Sequence, residues 1–132
     1  MAHMSITIWH NPKCGTSRNV LAMIRATGTE PEVISYLDTP PDARTLLRVA
    51  TAVGGARKLL RTKGTPALEL GLDTASDAEI LAAMAAHPIL IERPVVITPR
   101  GTILARPSER VLEVLDRPLP PGFTKEDGKP VV

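Results

Sequence analysis

The spacing of apolar residues changes period along this chain, and the order of those changes leaves few folds open. Ile6-Thr7-Ile8-Trp9 alternates, as a strand with one buried face must. In residues 17–27 the apolar positions Val20, Leu21, Met23 and Ile24 recur at helical spacing, and Gly28 is placed to end that helix. Val33-Ile34-Ser35-Tyr36-Leu37 is rich in β-formers again. A strand, a helix and a second strand in this order predict a parallel βαβ unit with a right-handed crossover.

The middle of the chain is helical. Thr39 is read as a cap, Pro40 as the first helical residue, and Leu46, Leu47, Val49, Ala50 and Val53 as one apolar face stopped at Gly54-Gly55. Residues 56–61 add a short helical segment. Ser76-Asp77-Ala78-Glu79 has the capping-box pattern ahead of Ile80, Leu81, Ala83 and Met84, and Pro88 closes that helix. The last third changes period again. Val95-Val96-Ile97-Thr98 reads as a strand, Pro99-Arg100-Gly101 as a turn and residues 102–105 as the returning strand of a hairpin. Pro107 opens a final helix with Val111, Leu112, Val114 and Leu115 turned inward. From Asp116 onward proline, glycine and charge dominate, which predicts an extended, partly mobile tail in which Lys125-Glu126-Asp127 is solvated charge.

The order β-α-β, helical block, β-β-α predicts an α/β protein with a thioredoxin-like fold. Its sheet is four-stranded and mixed, with a helical insertion between the βαβ and ββα halves. Residues 5–132 are expected to form one domain, with 116–132 as its tail. The opening Met1-Ala2-His3-Met4 reads as a cloning remnant before the natural start. The core must be aliphatic, because 43% of residues are hydrophobic and only 2% aromatic. A net charge of +2, no dense Lys/Arg stripe and few rings to stack on bases argue against nucleic-acid binding. No apolar run approaches the roughly 20 residues that span a bilayer. A lone thiol with no leader peptide in view suits the cytoplasm.

Cys14 is the only cysteine. It sits in His10-Asn11-Pro12-Lys13-Cys14-Gly15-Thr16-Ser17-Arg18, at the junction of the first strand and the first helix. The free amides of a helix's first turn stabilise a thiolate, and His10, Lys13 and Arg18 add positive charge nearby. A buried structural cysteine would sit in an apolar period rather than in this polar, turn-like run. Cys14-Gly15-Thr16-Ser17 matches Cys-x-x-Ser, in which Ser17 can cap or hydrogen-bond but cannot resolve a disulfide. The chain therefore has to pass an oxidised or substituted sulfur to an external thiol. His10 is read as an imidazolium or as a residue that orders the loop by a hydrogen bond, with Asn11 and Pro12 shaping that loop.

Arg93 precedes Pro94 at the entry to the third strand, and Arg106 follows the fourth. Hairpin geometry brings the start of one strand close to the end of the other, so these guanidiniums can converge, while Arg61 would arrive from the helical insertion. Such a cluster receives a tetrahedral oxyanion through forked hydrogen bonds and stabilises charge that builds on oxygen as sulfur attacks. The Arg93-Pro94 peptide is expected to be cis. No metal site is read from the sequence.

His10-Asn-Pro-Lys-Cys-Gly-Thr-Ser-Arg-Asn19, Gly28-Thr-Glu-Pro31, Leu59-Leu-Arg61, Leu70-Gly-Leu72, His87-Pro-Ile-Leu-Ile-Glu-Arg-Pro94, Arg106-Pro-Ser-Glu109 and Phe123-Thr-Lys-Glu-Asp-Gly128 together resemble the glutaredoxin-dependent arsenate reductases of the ArsC type over residues 5–132. The resemblance implies that arsenate is bound by Arg61, Arg93 and Arg106 and attacked by the Cys14 thiolate. It further implies glutathione as thiol co-substrate, with no bound cofactor, and glutaredoxin as the partner that resolves the adduct and releases arsenite. His10, Asn11, Gly15, Thr16, Ser17 and Pro94 would support the site. Two positions depart from the pattern: Lys13, where a small residue can occur, and Ala67, where relatives often carry an aromatic.

Two other readings use the same fold. A glutathione-linked thiol reductase would need Cys14 but not all three arginines. A redox-regulatory binding module commonly lacks the full arginine set or uses Cys-x-x-Cys. A monomer is expected, since no long apolar surface helix stands out.

Overall fold

The computed structural model describes residues 5–131. The Met1-Ala2-His3-Met4 stretch lies outside the described residues. Four strands, β1 (Thr7–His10), β2 (Glu32–Ser35), β3 (Val95–Thr98) and β4 (Gly101–Leu104), form one sheet in the order β2-β1-β3-β4. β1 and β2 are parallel and joined by helix α1 (Gly15–Ala26), while β1–β3 and β3–β4 are antiparallel. This is the mixed sheet expected from the order of periods, with the helical block inserted between its halves. β2 ends at Ser35, earlier than the β-rich run suggests, because β1 offers it only Thr7 to His10 as partners. Thr98 pairs with Gly101, so the hairpin loop is the two residues Pro99 and Arg100.

The described residues divide into two compact units. The first contains residues up to Ser35 and from Arg93 onward. One face of its sheet, Ile6, Ile8, Val96 and Ile103, packs with Val20, Met23 and Ile24 of α1 and with Ala105, Val111, Val114 and Leu115. Alternation places Trp9 and Val95, both buried and paired across β1 and β3, on the opposite face. The predicted last helix is a 3₁₀ segment, Ser108–Val114. Its buried residues, Ser108, Val111 and Val114, are spaced by three, which is the repeat a 3₁₀ turn stacks in line.

The tail is extended, as expected, but it is docked. Leu119, Phe123 and Val131 pack against the aliphatic core. Thr124 pairs with Pro130, and Lys125 forms an ion pair with Glu109 at 2.7 Å, so the reading of the charged run as solvated is corrected for Lys125, while Glu126, paired with Arg18, and Asp127 are exposed. No local period signals this, because the docking groups are brought together by tertiary contact.

The second unit, residues 36–92, holds α2 (Ala43–Val53), α3 (Ala56–Leu59) and α4 (Asp77–Ala86), followed by a 3₁₀ turn at Pro88–Leu90. The three helices pack on one another. α2 starts three residues later than the sequence suggests. Asp42, not Thr39, is its cap and accepts from the Thr45 amide at 2.8 Å. Pro41 disfavours helix at Pro40, which moves the start beyond both prolines. Gly54 ends α2 at φ 111°, a left-handed conformation that suits glycine. The capping box of α4 is present: the Ser76 hydroxyl accepts from the Glu79 amide, and Glu79 accepts from the Ser76 amide. No helix of the described residues is long and apolar enough to cross a membrane.

Candidate active site

Cys14 is the N-cap of α1, delivered there directly from the carboxyl end of β1. Its loop is held by short bonds. The Cys14 amide donates to the Asn11 carbonyl at 3.0 Å, and the Asn11 side-chain oxygen accepts from the Lys13 amide at 3.0 Å. Buried Ser17 is the hub: its hydroxyl accepts from the Asn11 amide at 3.0 Å and pairs with His10 Nδ1 at 2.6 Å. Ser17 thus ties β1, the loop and α1 together rather than capping the helix. Its own backbone amide bonds to the Cys14 sulfur.

The hairpin supplies the cations. Arg93 enters β3 and Arg106 leaves β4, and the Ala105 amide bonded to the Pro94 carbonyl at 3.0 Å holds the two ends together. Arg106 Nη1 donates to the Arg93 carbonyl at 3.0 Å and lies 3.7 Å from Cys14 Sγ. The Arg93-Pro94 peptide is cis, as expected, and so is Arg106-Pro107. Both Arg93 and Arg106 are half-buried.

The sulfur is buried too, with 8% of the residue exposed. Burial by itself raises a thiol's pKa. Here the Ser17 amide, the charge of Arg93 and the hydrogen bond and charge of Arg106 outweigh it, so Cys14 lies below its ordinary value. Of the two roles read for His10, the structure favours loop ordering. Burial, and then the charges of Arg25 and Arg18, hold the imidazole below its usual pKa, so it is neutral near pH 7. Arg18 is exposed and pairs with Glu126, while its Nη1 donates to the Pro12 carbonyl at 2.7 Å. Gly15 and Thr16 form the first turn of α1 and are half-buried; Lys13 is exposed and Pro94 buried.

The first unit therefore brings together Cys14, Arg93 and Arg106 with His10, Asn11 and Ser17. Arg61 belongs to the second unit, just past α3. Its amide donates to the Leu90 carbonyl at 2.8 Å and its Nε to the Lys63 carbonyl at 3.1 Å. Ala67 is buried in the turns that follow, and the Leu72 amide donates to its carbonyl at 3.0 Å. The pairing of Arg18 with Glu126 was not read from the sequence. It spans 108 positions, and no local pattern announces it.

A thiolate beside convergent guanidiniums, with one helix amide already on the sulfur, can attack the centre of an oxyanion bound to those guanidiniums. The ArsC family model matches residues 9–114. An arsenate reductase of Rhizobium meliloti (strain 1021) is 52% identical over 132 residues, covering 98% of this chain and 94% of its own. An Escherichia coli arsenate reductase is 53% identical over 131 residues, covering 97% and 93% respectively. Among solved structures, the arsenate reductase from Vibrio cholerae superposes with a TM-score of 0.82 at 42% identity, over 86% of this chain and all of that one.

Proposed function

The chain belongs to the ArsC family, and from that premise we propose how it works as an arsenate reductase. Cys14 is the nucleophile. Arg93 and Arg106 hold the arsenate oxygens, and Arg61 joins them on the strength of the family resemblance. The observation that carries this reading is the 3.7 Å approach of the Arg106 guanidinium to the Cys14 sulfur. One cation can then both stabilise the thiolate and draw an oxyanion toward it.

The Cys14 thiolate attacks As(V), and one arsenate oxygen leaves as water after protonation. Glutathione adds through its own thiol, displacing a second oxygen as water. Glutaredoxin's thiolate next attacks the glutathione sulfur. The sulfur–arsenic bond breaks toward arsenic, which takes the electron pair and becomes As(III), while the two thiols leave oxidised as a mixed disulfide. Hydrolysis of the remaining Cys14–arsenic bond releases arsenite and restores the thiol. Each external thiol is required because the chain has no second cysteine to donate. The enzyme acts as a monomer in this reading, without a bound cofactor and in the cytoplasm.

A coupled assay with arsenate, glutathione and glutaredoxin, repeated with each left out, tests the whole route. Every omission should stop turnover, and Cys14→Ser should abolish it. Turnover in the serine variant would move the nucleophile elsewhere. Turnover without glutaredoxin would assign resolution to glutathione alone.

A further inference from the structure

Two neighbouring tail residues reach both halves of the site. Glu126 takes the Arg18 guanidinium in a fork, at 3.0 Å to Nε and 2.9 Å to Nη2. The remaining arm of Arg18, Nη1, donates to the carbonyl of Pro12, two residues before the nucleophile. The Glu126 amide donates to Asn19 Oδ1 at 2.9 Å, so its backbone is fixed on α1 as well. Lys125 Nζ meets Glu109 Oε1 at 2.7 Å. Glu109 lies three residues beyond Arg106, at the start of the 3₁₀ segment, and also accepts from Ser108 Oγ at 3.3 Å.

The tail is shaped to present these two side chains apart. The Gly128 amide donates to the Lys125 carbonyl at 2.8 Å, and the Lys125 amide to the Lys129 carbonyl at 2.9 Å, closing a small turn around them. Space is reserved for the carboxylate. A Cβ at Gly15, the residue after the nucleophile, would lie 3.1 Å from Glu126 Oε1. We propose that Lys125 and Glu126 are positioning residues, which tie down the Pro12–Cys14 loop and the segment after Arg106 and so hold the Arg106 guanidinium against the sulfur.

The inference rests on the reading of Cys14 as nucleophile, but its geometry stands without the substrate. Exposed ion pairs such as Arg18–Glu126, with 45% of each side chain accessible, add little to global stability. The effect belongs in local geometry, where small displacements of reacting groups cost large factors in rate. The charged and titratable groups around Cys14 in this unit are Arg93, Arg106 and Arg18, with neutral His10, exposed Lys13 and Glu126 beyond them.

Cys14 is the only thiol, so its alkylation rate by iodoacetamide against pH reports on it alone. The profile is measured for the wild type, Glu126→Ala and Lys125→Met/Glu126→Ala, with melting temperatures alongside. Positioning predicts that the midpoint rises in both variants as Arg106 drifts from the sulfur. Below the midpoint, alkylation should slow about threefold to tenfold, since one pH unit is a factor of ten in thiolate. The fold should melt within a few degrees of wild type. A lower midpoint in Glu126→Ala would overturn the proposal, because removing the carboxylate merely leaves Arg18 unopposed and so favours the thiolate. An unchanged midpoint would overturn it too. Arsenate turnover by Cys14→Ser would defeat the proposed function, whereas the alkylation profile judges the positioning role independently of substrate.

Discussion

Burial that leaves only 8% of a cysteine exposed raises its pKa, yet this sulfur lies below the ordinary thiol value because three groups face it at once. The Ser17 amide is fixed by the helix, and Arg93 and Arg106 are fixed by the hairpin. Arg106 is the residue whose loss should be most visible, as it contributes both a hydrogen bond and a charge. Removing a cation from beside a thiolate destabilises the charged form, so Arg106→Ala should raise the Cys14 midpoint toward the ordinary thiol value of about 8.5. At pH 7 alkylation should slow, and arsenate kcat/KM should fall by about a hundredfold, the scale of a lost oxyanion donor. A pure thiol exchanger would instead lose activity toward glutathionylated partners only by the factor by which alkylation slows, since it needs the thiolate but no oxyanion donor. His10 has the opposite sign. Its folded pKa lies below the unfolded one, so its neutral form contributes stability above about pH 6.5. That contribution is lost as pH falls and the unfolded chain takes up the proton first.

At the level of elements, the sequence is most legible where local chemistry decides. The strands follow the runs rich in β-formers, and the convergence of Arg93 with Arg106 follows from hairpin geometry alone. The Ser76–Glu79 box is an i,i+3 pattern and folds as written. Two elements depart from their local signal. Two consecutive prolines move the start of α2 to Asp42, and the last helix is a 3₁₀ segment whose buried positions are spaced by three. The role of Ser17 was only half visible, since a cap and a hub for His10 and Asn11 require the same residue type. α4 gives the direct test of local control. Ser76→Ala should cost about 1 kcal/mol, the usual loss of an N-cap, read as a lower midpoint in urea unfolding with an unchanged slope. Arsenate turnover per folded molecule should stay at the wild-type level.

Across the whole molecule, the first unit is built from the two ends of the chain, and this is the part a local reading cannot reach. Its sheet needs β1 and β2 from the start and β3 and β4 from the later part, and its core is closed by Leu119, Phe123 and Val131 of the tail. Proline, glycine and charge make that tail read as loose, yet its few apolar residues find the aliphatic core and its charges find fixed partners. Phe123 is the only phenylalanine, and it is half-buried. Phe123→Ala should therefore destabilise the first unit by about 1–2 kcal/mol, below the 3–5 typical of a fully buried ring. Trp9, the only tryptophan and 2% exposed, lies in the central part of the same sheet and reports that unit's unfolding by fluorescence. The denaturant midpoint seen by Trp9 should move down in the variant. If it stayed at the wild-type value, the tail would contribute no packing energy, and its only hold on the first unit would be through polar bonds such as those of Lys125 and Glu126.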